Sequence, residues 1–336
     1  MKTEGMPILS IVVPCFNEEE VLHETAIRLT DIIKNLIQRS QISNQSIILF
    51  VDDGSRDSTW SIIEQLNKEN IYIKGLKLAK NVGHQNALLA GLNKAREFSD
   101  CVISIDADLQ DDVNSIYEFI AKYHEGFDIV YGVRRSRESD TFFKRNTALA
   151  FYRIMEKMGV NIVHNHADYR LLSKRALDHF VNFKEVNLFI RGIIPLIGFT
   201  STEVYYDRNE RFAGESKYPI KKMLAFALEG ITSFSITPIR LVTLIGSTIF
   251  FISFIAGAYA LIAKLIGNVV SGWTSIILSI WFIGGIQLIA LGLLGEYIGK
   301  IYKEVKNRPK YCVDIDLTLN ENELITTKSK DSISIG

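Results

Sequence analysis

Three acidic clusters hold the chemistry that can be read from this chain: Pro14-Cys15-Phe16-Asn17-Glu18-Glu19, Val51-Asp52-Asp53-Gly54-Ser55-Arg56-Asp57-Ser58 and Asp106-Ala107-Asp108-Leu109-Gln110-Asp111-Asp112. Taken singly, such residues cap helices or form turns. Each of these clusters, however, follows a short β-branched run, so together they converge on one rim of a sheet. Residues i and i+2 at a strand end share a face, which puts the carboxylates of Asp106 and Asp108 within reach of one hard divalent cation. Magnesium or manganese, which take oxygen ligands and keep positions open for substrate phosphates, suit such a pair. A cation there would bridge a diphosphate and stabilise it as a leaving group; the competing reading is a solvated turn. The chain has no G-x-G-x-x-G and no G-x-x-x-x-G-K-[ST] loop, so the phosphates of a nucleotide are not cradled in the dinucleotide or Walker manner. His84 stands after the third run and could line the same crevice, but a lone histidine is more often structural and it is left outside the catalytic set.

The elements that must position these residues follow from periodicity. Runs at 8–13, 46–51, 72–78, 101–105 and 129–133 alternate with helical stripes such as Leu22, Ala26, Leu29, Ile33 and Leu36, then Ile62, Ile63 and Leu66, then Leu88, Leu92 and Ala95. Alternation of this kind predicts an α/β fold, a mostly parallel sheet with helices on both faces, whose ligand crevice lies beyond the carboxyl ends of the strands. Asn17 with Glu20 predicts a helix cap, and Ser58 another. The 336 residues carry a formal net charge of +0 and are 47% hydrophobic, which excludes disorder and gives no basic footprint for nucleic acid. Cys15, Cys101 and Cys312 are far apart and suggest neither a zinc site nor a disulfide.

Hydrophobicity is concentrated late in the chain. Residues 241–263 and 273–294 contain no charge, and at 1.5 Å per residue each helix would reach about 33 Å, enough for a bilayer core of about 30 Å. They are predicted to form a two-helix transmembrane hairpin. Lys221, Lys222 and Arg240 precede it, and Lys300, Lys303, Lys306, Arg308 and Lys310 follow it. Positive flanks of this kind place both termini and the polar domain in the cytoplasm, in a multi-pass protein of the cell membrane. The expected organisation is a catalytic domain at 1–218, a juxtamembrane interfacial helix at 219–237, the hairpin at 238–299 and a basic, then polar, tail at 300–336 that is loose beyond Tyr311. Gly246, Gly257, Gly284, Gly285 and Gly292 could let such helices pack between subunits, making a homo-oligomer a candidate partner arrangement.

In combination, PCFNEE, VDDGSRDST, DADLQD, HADYRLLS, RFAGESKY and the two C-terminal spans resemble membrane-anchored glycosyltransferase family 2 enzymes that load a sugar onto a polyprenyl phosphate. Bacterial undecaprenyl-phosphate (bactoprenol) glucosyltransferases are the nearest likeness and dolichol-phosphate mannose synthases a more distant one. The resemblance implies a GT-A fold and inverting transfer of a hexose, glucose foremost, from a UDP-sugar to the lipid phosphate, with Mg2+ or Mn2+. It implies that Pro14, Asn17 and Glu18 border the nucleoside with Asp52 and Asp53, the latter accepting a hydrogen bond from uracil. Asp106 and Asp108 would hold the metal and diphosphate with Gln110 beside them, Asp168 would match the proposed catalytic base, and Arg211, Ser216 and Lys217 would close over phosphate. The family usually has proline after DLQD; Asp112 and Val113 stand here instead.

For the acceptor, Arg134, Arg135 and Arg137 follow the fifth run and suit bidentate pairing with a phosphate. The stripe of Ala148, Phe151, Met155 and Met158, with Lys144, Arg145, Arg153 and Lys157 elsewhere, reads as an interfacial basic helix. A phosphate monoester is already largely ionised at neutral pH, so Asp168 could orient rather than deprotonate, with Asp111 and Asp112 as competing candidates. A processive polysaccharide synthase would need a Q-x-x-R-W motif, absent here; a nucleotide-sensing membrane protein would have little use for Asp106 and Asp108.

Overall fold

The computed structural model describes residues 5–135, 166–183, 185, 190–208, 272–306 and 308–318, with separate positions between 239 and 266. The β-branched runs become strands β1 (Leu9–Cys15), β2 (Ile47–Asp52), β3 (Ile73–Leu78), β4 (Cys101–Ser104) and β5 (Ile129–Arg134). Three more, β6 (His166–Ser173), β7 (Ser201–Tyr206) and β8 (Val313–Asp316), complete one sheet of order β7-β5-β6-β4-β1-β2-β3-β8. The sheet is mixed. β4, β1, β2 and β3 run parallel and so do β5 and β7, whereas β6 is antiparallel to both β4 and β5, and β8 is antiparallel to β3.

Helices cover both faces. On α1 (Leu22–Gln38) the stripe of Leu22, Ala26, Leu29, Ile33 and Leu36 is buried, in one cluster with Leu9, Ile11 and Val13 of β1. Each such Leu or Ile stabilises the fold by about 1.5–3 kcal/mol on burial. α2 (Thr59–Glu69) and α4 (Ser115–His124) pack beside α1. The opposite face carries α3 (His84–Arg96) and α5 (Lys174–Phe180). α3 lies so close to the sheet that a Cβ on Gly91 would stand 2.4 Å from Val12 Cγ1. Pro14 sits inside β1 without losing a ladder bond, because β4 pairs only as far as Val12 and β1 is paired on one side beyond it.

Three local expectations are corrected. The Asn17 to Glu20 cap does not form: α1 starts at Leu22 after Val21, with no side-chain cap, because Asn17 Oδ1 is spent on the Arg56 amide. Ser58 occupies the cap position of α2 without bonding from its side chain, since Asp57 Oδ1 accepts from the Thr59 amide instead. The stretch beyond Tyr311, expected to be loose, supplies β8, whose Asp316 pairs with Lys94 and whose Leu317 amide donates to the Gly75 carbonyl. Alternation in Val313–Asp316 is too short to announce a strand; the open edge of β3 supplies its partner groups.

The described chain falls into two compact units, one built on the sheet and the other containing helix α7 (Trp273–Lys306). Among the described residues one helix is long and apolar enough to cross a membrane, Phe282–Lys306 within α7. Its large apolar side chains face outward: Phe282, Leu288 and Ile289 are 62%, 72% and 67% exposed. The first expected span, 241–263, is described only at separate positions. The expected helices at 142–158 and 219–237 lie outside the described residues.

Candidate active site

The acidic clusters do meet beyond the carboxyl ends of β1, β2 and β4. β4 ends at Ser104, so Asp106 and Asp108 lie in the turn past the strand rather than on it. They keep a common outward side because Ala107 and Leu109 between and after them are buried, the Ala107 carbonyl accepting from Thr25 Oγ1 at 2.8 Å. Leu109 has a φ of 56°, a left-handed conformation for a buried branched residue, and backbone held this way tends to mark functional loops. Asp108 Oδ1 accepts from the Gln110 amide, and the Gln110 side chain meets Arg208.

Asp52 and Asp53 are both buried and both organise backbone. Asp52 accepts from the Ser55 amide at 3.2 Å; burial pushes its carboxyl up, with the Ser55 bonds opposing. Asp53, expected to meet a base, takes the Val82 amide on Oδ1 at 2.7 Å and the Gly83 amide on Oδ2 at 2.9 Å. The turn at Gly54 (φ 66°) lies against this loop so closely that a Cβ there would sit 2.6 Å from the Asn81 nitrogen. Asn17, also left-handed with a φ of 54°, joins the same framework through its amide to Ser55 Oγ, and the Glu18 amide donates to Thr59 Oγ1. These bonds fix the loop that leads into α3 and present His84 at the rim.

Asp111, named as a competing base, points inward. It is buried and takes hydrogen bonds from Tyr206 Oη at 2.7 Å and Arg134 Nη2 at 3.0 Å. Burial disfavours the Arg134 charge, but Asp111 outweighs it and the guanidinium stays firmly ionised. Arg134, expected as a phosphate clamp, therefore braces the DLQD loop from β5. Arg135 is exposed and lies 3.7 Å from Asp207. Asp112, which stands where proline was expected, starts a turn of its own: its Oδ1 accepts from the Asn114 amide and its carbonyl from Tyr169 Oη. Arg211, Ser216 and Lys217, together with Arg137, lie outside the described residues.

Asp168 is the most heavily bonded carboxylate at the rim. On β6 it shares a face with Arg170, two residues on, while Tyr169 and Leu171 enter the core on the other face. The pairing of β5 with β6 shifts register between Tyr131 and Val133, opposite this stretch, which re-aims the side chains. Arg170 Nη2 donates to Asp168 Oδ1, while Arg191 Nη2 donates to Oδ2 at 2.9 Å and its Nε to Oδ1 at 3.2 Å. Arg191 comes from the short helix α6 (Ile190–Ile193), tied in by Gln85, which gives Nε2 to Asp168 and takes the Ile190 amide. Burial pushes Asp168 up, but Arg191, His84 and Arg170 outweigh it and hold the carboxyl well below the usual range. A carboxylate so held is a poor proton acceptor.

His84 Nε2 stands 3.6 Å from Asp106 Oδ1 and 3.7 Å from Asp168 Oδ2, between the two carboxylates. Burial works against its charge, yet Asp168 and Asp106 push the imidazole up to about 9. Asp106 itself is raised, first by burial, with His84 opposing and Asp111, Asp168 and Asp108 adding to the rise. Gln85 and Arg191 are the site residues that sequence reasoning missed, whereas His84, read as able to line the crevice but left outside the catalytic set, stands between the two carboxylates. The signal for His84 was its place after a strand; for Arg191 there was none, because its partner lies 23 residues away on another element.

Among the described residues no group of three or more His, Cys, Asp or Glu side chains could hold a metal ion by itself. Asp106 and Asp108 offer oxygen donors only, in a setting crowded with negative charge, which fits a hard cation completed by substrate oxygens.

The fold and this rim define a glycosyltransferase. The profile described as Glycosyl transferase family 2 matches residues 10–181, and the chain belongs to that family. Its mixed sheet flanked by helices is GT-A-like. A Bacillus subtilis (strain 168) protein, named as the uncharacterized glycosyltransferase YkoT, is 60% identical over 94% of this chain and 93% of its own length. The SfII prophage-derived bactoprenol glucosyl transferase of Shigella flexneri is 42% identical over 91% of this chain and 97% of its own. Among solved structures, glucosyl-3-phosphoglycerate synthase from Mycobacterium tuberculosis, in complex with Mn2+, UDP and glucosyl-3-phosphoglycerate, matches with a TM-score of 0.42 at 16% identity, over 67% of this chain and 78% of that one.

Proposed function

We propose that the protein transfers glucose from UDP-glucose to a polyprenyl phosphate at the cytoplasmic face of a membrane, with inversion at the sugar. The observation that carries this reading is the 42% identity, over 91% of the chain, to a relative named as a bactoprenol glucosyl transferase. The exposed apolar side of α7 and the basic residues of its last turns and just beyond, Lys300, Lys303, Lys306, Arg308 and Lys310, support membrane attachment with the catalytic unit on the cytoplasmic side. The expected hairpin and two-pass topology form part of the same proposal.

An oxygen of the acceptor phosphate attacks the anomeric carbon as the bond from that carbon to the diphosphate breaks. Its second pKa lies near 6, so the nucleophile arrives ionised and requires no strong base. Asp168, held ionised by Arg191 and Arg170, orients its neighbours instead of taking a proton. Asp106 and Asp108 would hold Mg2+ or Mn2+, which supplies charge to the departing diphosphate. Pro14, Asn17, Glu18, Asp52 and Asp53 form the framework of the nucleoside side. The test is release of UDP from UDP-glucose by purified full-length protein given undecaprenyl phosphate and magnesium. Turnover is expected with the wild type and a loss of about a thousandfold or more in Asp106→Ala/Asp108→Ala. A double variant that still turns over at the wild-type rate overturns the assignment of the cation to this pair.

A further inference from the structure

The loop that carries the two candidate cation ligands alternates in burial: Asp106, Asp108 and Gln110 are half-buried at the rim, whereas Ala107, Leu109 and Asp111 are buried beneath it. Each of the three inward positions is held by a different means. The Ala107 carbonyl takes the hydroxyl of buried Thr25, on α1, at 2.8 Å. Leu109 packs into the core cluster while holding a φ of 56°. The Asp111 carboxylate takes Tyr206 Oη of β7 at 2.7 Å and Arg134 Nη2 of β5 at 3.0 Å, and Arg134 Nε closes the triangle onto Tyr206 Oη at 3.3 Å. Tyr206 is itself fixed, its ring edge-on to Tyr169 at 5.3 Å and so close to Gly132 that a Cβ there would stand 3.1 Å from Tyr206 Cε1.

We propose that Thr25 and Tyr206 are positioning residues for the cation: their hydroxyls pin the loop on either side of Leu109 and so set the spacing of the Asp106 and Asp108 carboxylates. This rests on the assignment of Mg2+ or Mn2+ to that pair in the reading above. A branched L-residue favours negative φ, so a left-handed Leu109 persists only where its surroundings over-determine it. Return to negative φ would swing the chain before Leu109 against the chain after it, carrying Asp108 away from Asp106. Thr25 opposes that swing at the carbonyl between the two aspartates, and Tyr206 opposes it two residues beyond Leu109. Both side chains are buried, so they act through the loop and not on the substrate. Loss of a group that holds a metal ligand in place typically weakens metal binding by about 10–100-fold.

The experiment compares full-length wild type with Thr25→Val and Tyr206→Phe, each of which removes one hydroxyl and keeps nearly the buried shape, and with Thr25→Ser, which keeps the donor. Tyr206→Phe leaves Asp111 paired with Arg134, so the buried carboxylate is not stranded. Mn2+ binding is titrated by loss of the free-ion electron paramagnetic resonance signal, with UDP present and no lipid, and compared with binding by UDP alone. The Mn2+ dependence of UDP release with undecaprenyl phosphate is measured beside it. Thr25→Val and Tyr206→Phe are each expected to weaken Mn2+ binding about tenfold or more, and Thr25→Ser to bind between Thr25→Val and the wild type. Their lost rate should return as Mn2+ is raised, with KM for undecaprenyl phosphate within about twofold of the wild type. An Mn2+ affinity within about twofold of the wild type in either hydroxyl-deleted variant overturns the role of that hydroxyl. A rate loss that added Mn2+ does not relieve also overturns it, by making the bond merely structural. If Tyr206→Phe does not fold, Thr25→Val decides on the same comparison. Wild type that binds no Mn2+ beyond UDP alone overturns the cation assignment and the two tethers with it. Wild type whose Mn2+ affinity depends on both hydroxyls but which releases no UDP with any polyprenyl phosphate overturns the lipid reading and supports the tethers.

Discussion

Asp168 takes hydrogen bonds from the guanidiniums of both Arg170 and Arg191, which hold its carboxyl well below the usual carboxylate range. Its identity and place were legible in HADYRLLS, yet its chemistry is set by Arg191 and Gln85, which no spacing rule connects to it. The same limit applies to Asp111, which spacing could not tell from Asp108 and which burial turns into a brace for Arg134 and Tyr206. The depressed Asp168 carboxyl also has a consequence for stability. Its folded value lies below the unfolded one, so the stabilisation is fully present above the ordinary carboxylate value of about 3.9 and is lost as pH falls through the lower folded value. Asp168→Asn takes from buried Arg170 the carboxylate to which its Nη2 donates and is expected to cost about 3–5 kcal/mol near neutral pH. Thermal unfolding followed from about pH 7 down to pH 3 should show a lower midpoint for the variant at neutrality and a shallower decline on the acid side. A variant curve parallel to the wild type over the whole range would mean that the carboxylate is not held as described.

At the scale of elements, the central strands and helices were readable because each buries an uninterrupted apolar face: Leu22, Ala26, Leu29, Ile33 and Leu36 on α1 and the runs of β1 and β2 leave no other solution. The parallel direction of β1 to β4 was readable from their alternation with helices, but the direction of β6 was not. Nothing in the residues of β6 tells it to run antiparallel to β4, and side chains alternate across a strand in either direction. β8 was missed for a related reason. Four residues, Val313–Asp316, carry too little pattern, and what makes them a strand is the unpaired edge of β3. An edge so covered is protected from pairing with other chains. Ile315 pairs with Lys77 and packs against the core. Ile315→Pro removes both the backbone donor and the apolar contact and is expected to cost about 3 kcal/mol. The measurements are the unfolding midpoint and light scattering on mild heating; the variant should unfold earlier and scatter more, whereas Ile315→Val should behave almost as wild type. Equal scattering from Ile315→Pro and wild type would remove the protective role assigned to β8.

For the whole molecule, the sheet unit and α7 obey different solvent rules. The sheet buries its apolar side chains and turns its charged rim to water, while α7 turns Phe282, Leu288 and Ile289 outward. A soluble helix of that composition would have to hide these side chains within its own unit, and the described ones are not hidden. The overall composition, balanced in charge with a mean hydropathy of +0.13, averages over the two regimes and shows neither. Only the position of the uncharged stretches separated them in the sequence, and one of these, around α7, is met by a described helix. The two environments predict opposite responses to one substitution. An arginine at an exposed position of a helix in water is tolerated or even solubilising. Near the middle of a membrane span it opposes insertion by about 2.5–3.5 kcal/mol. Phe282→Arg lies close to the centre of the uncharged stretch 273–295, so the variant is expected to shift from the carbonate-resistant membrane fraction to the extractable or degraded fraction, and to lose transfer to lipid acceptor in membranes. Phe282→Leu should stay with the wild type in both assays. A Phe282→Arg protein that remains fully membrane-embedded and active would take α7 out of the bilayer core.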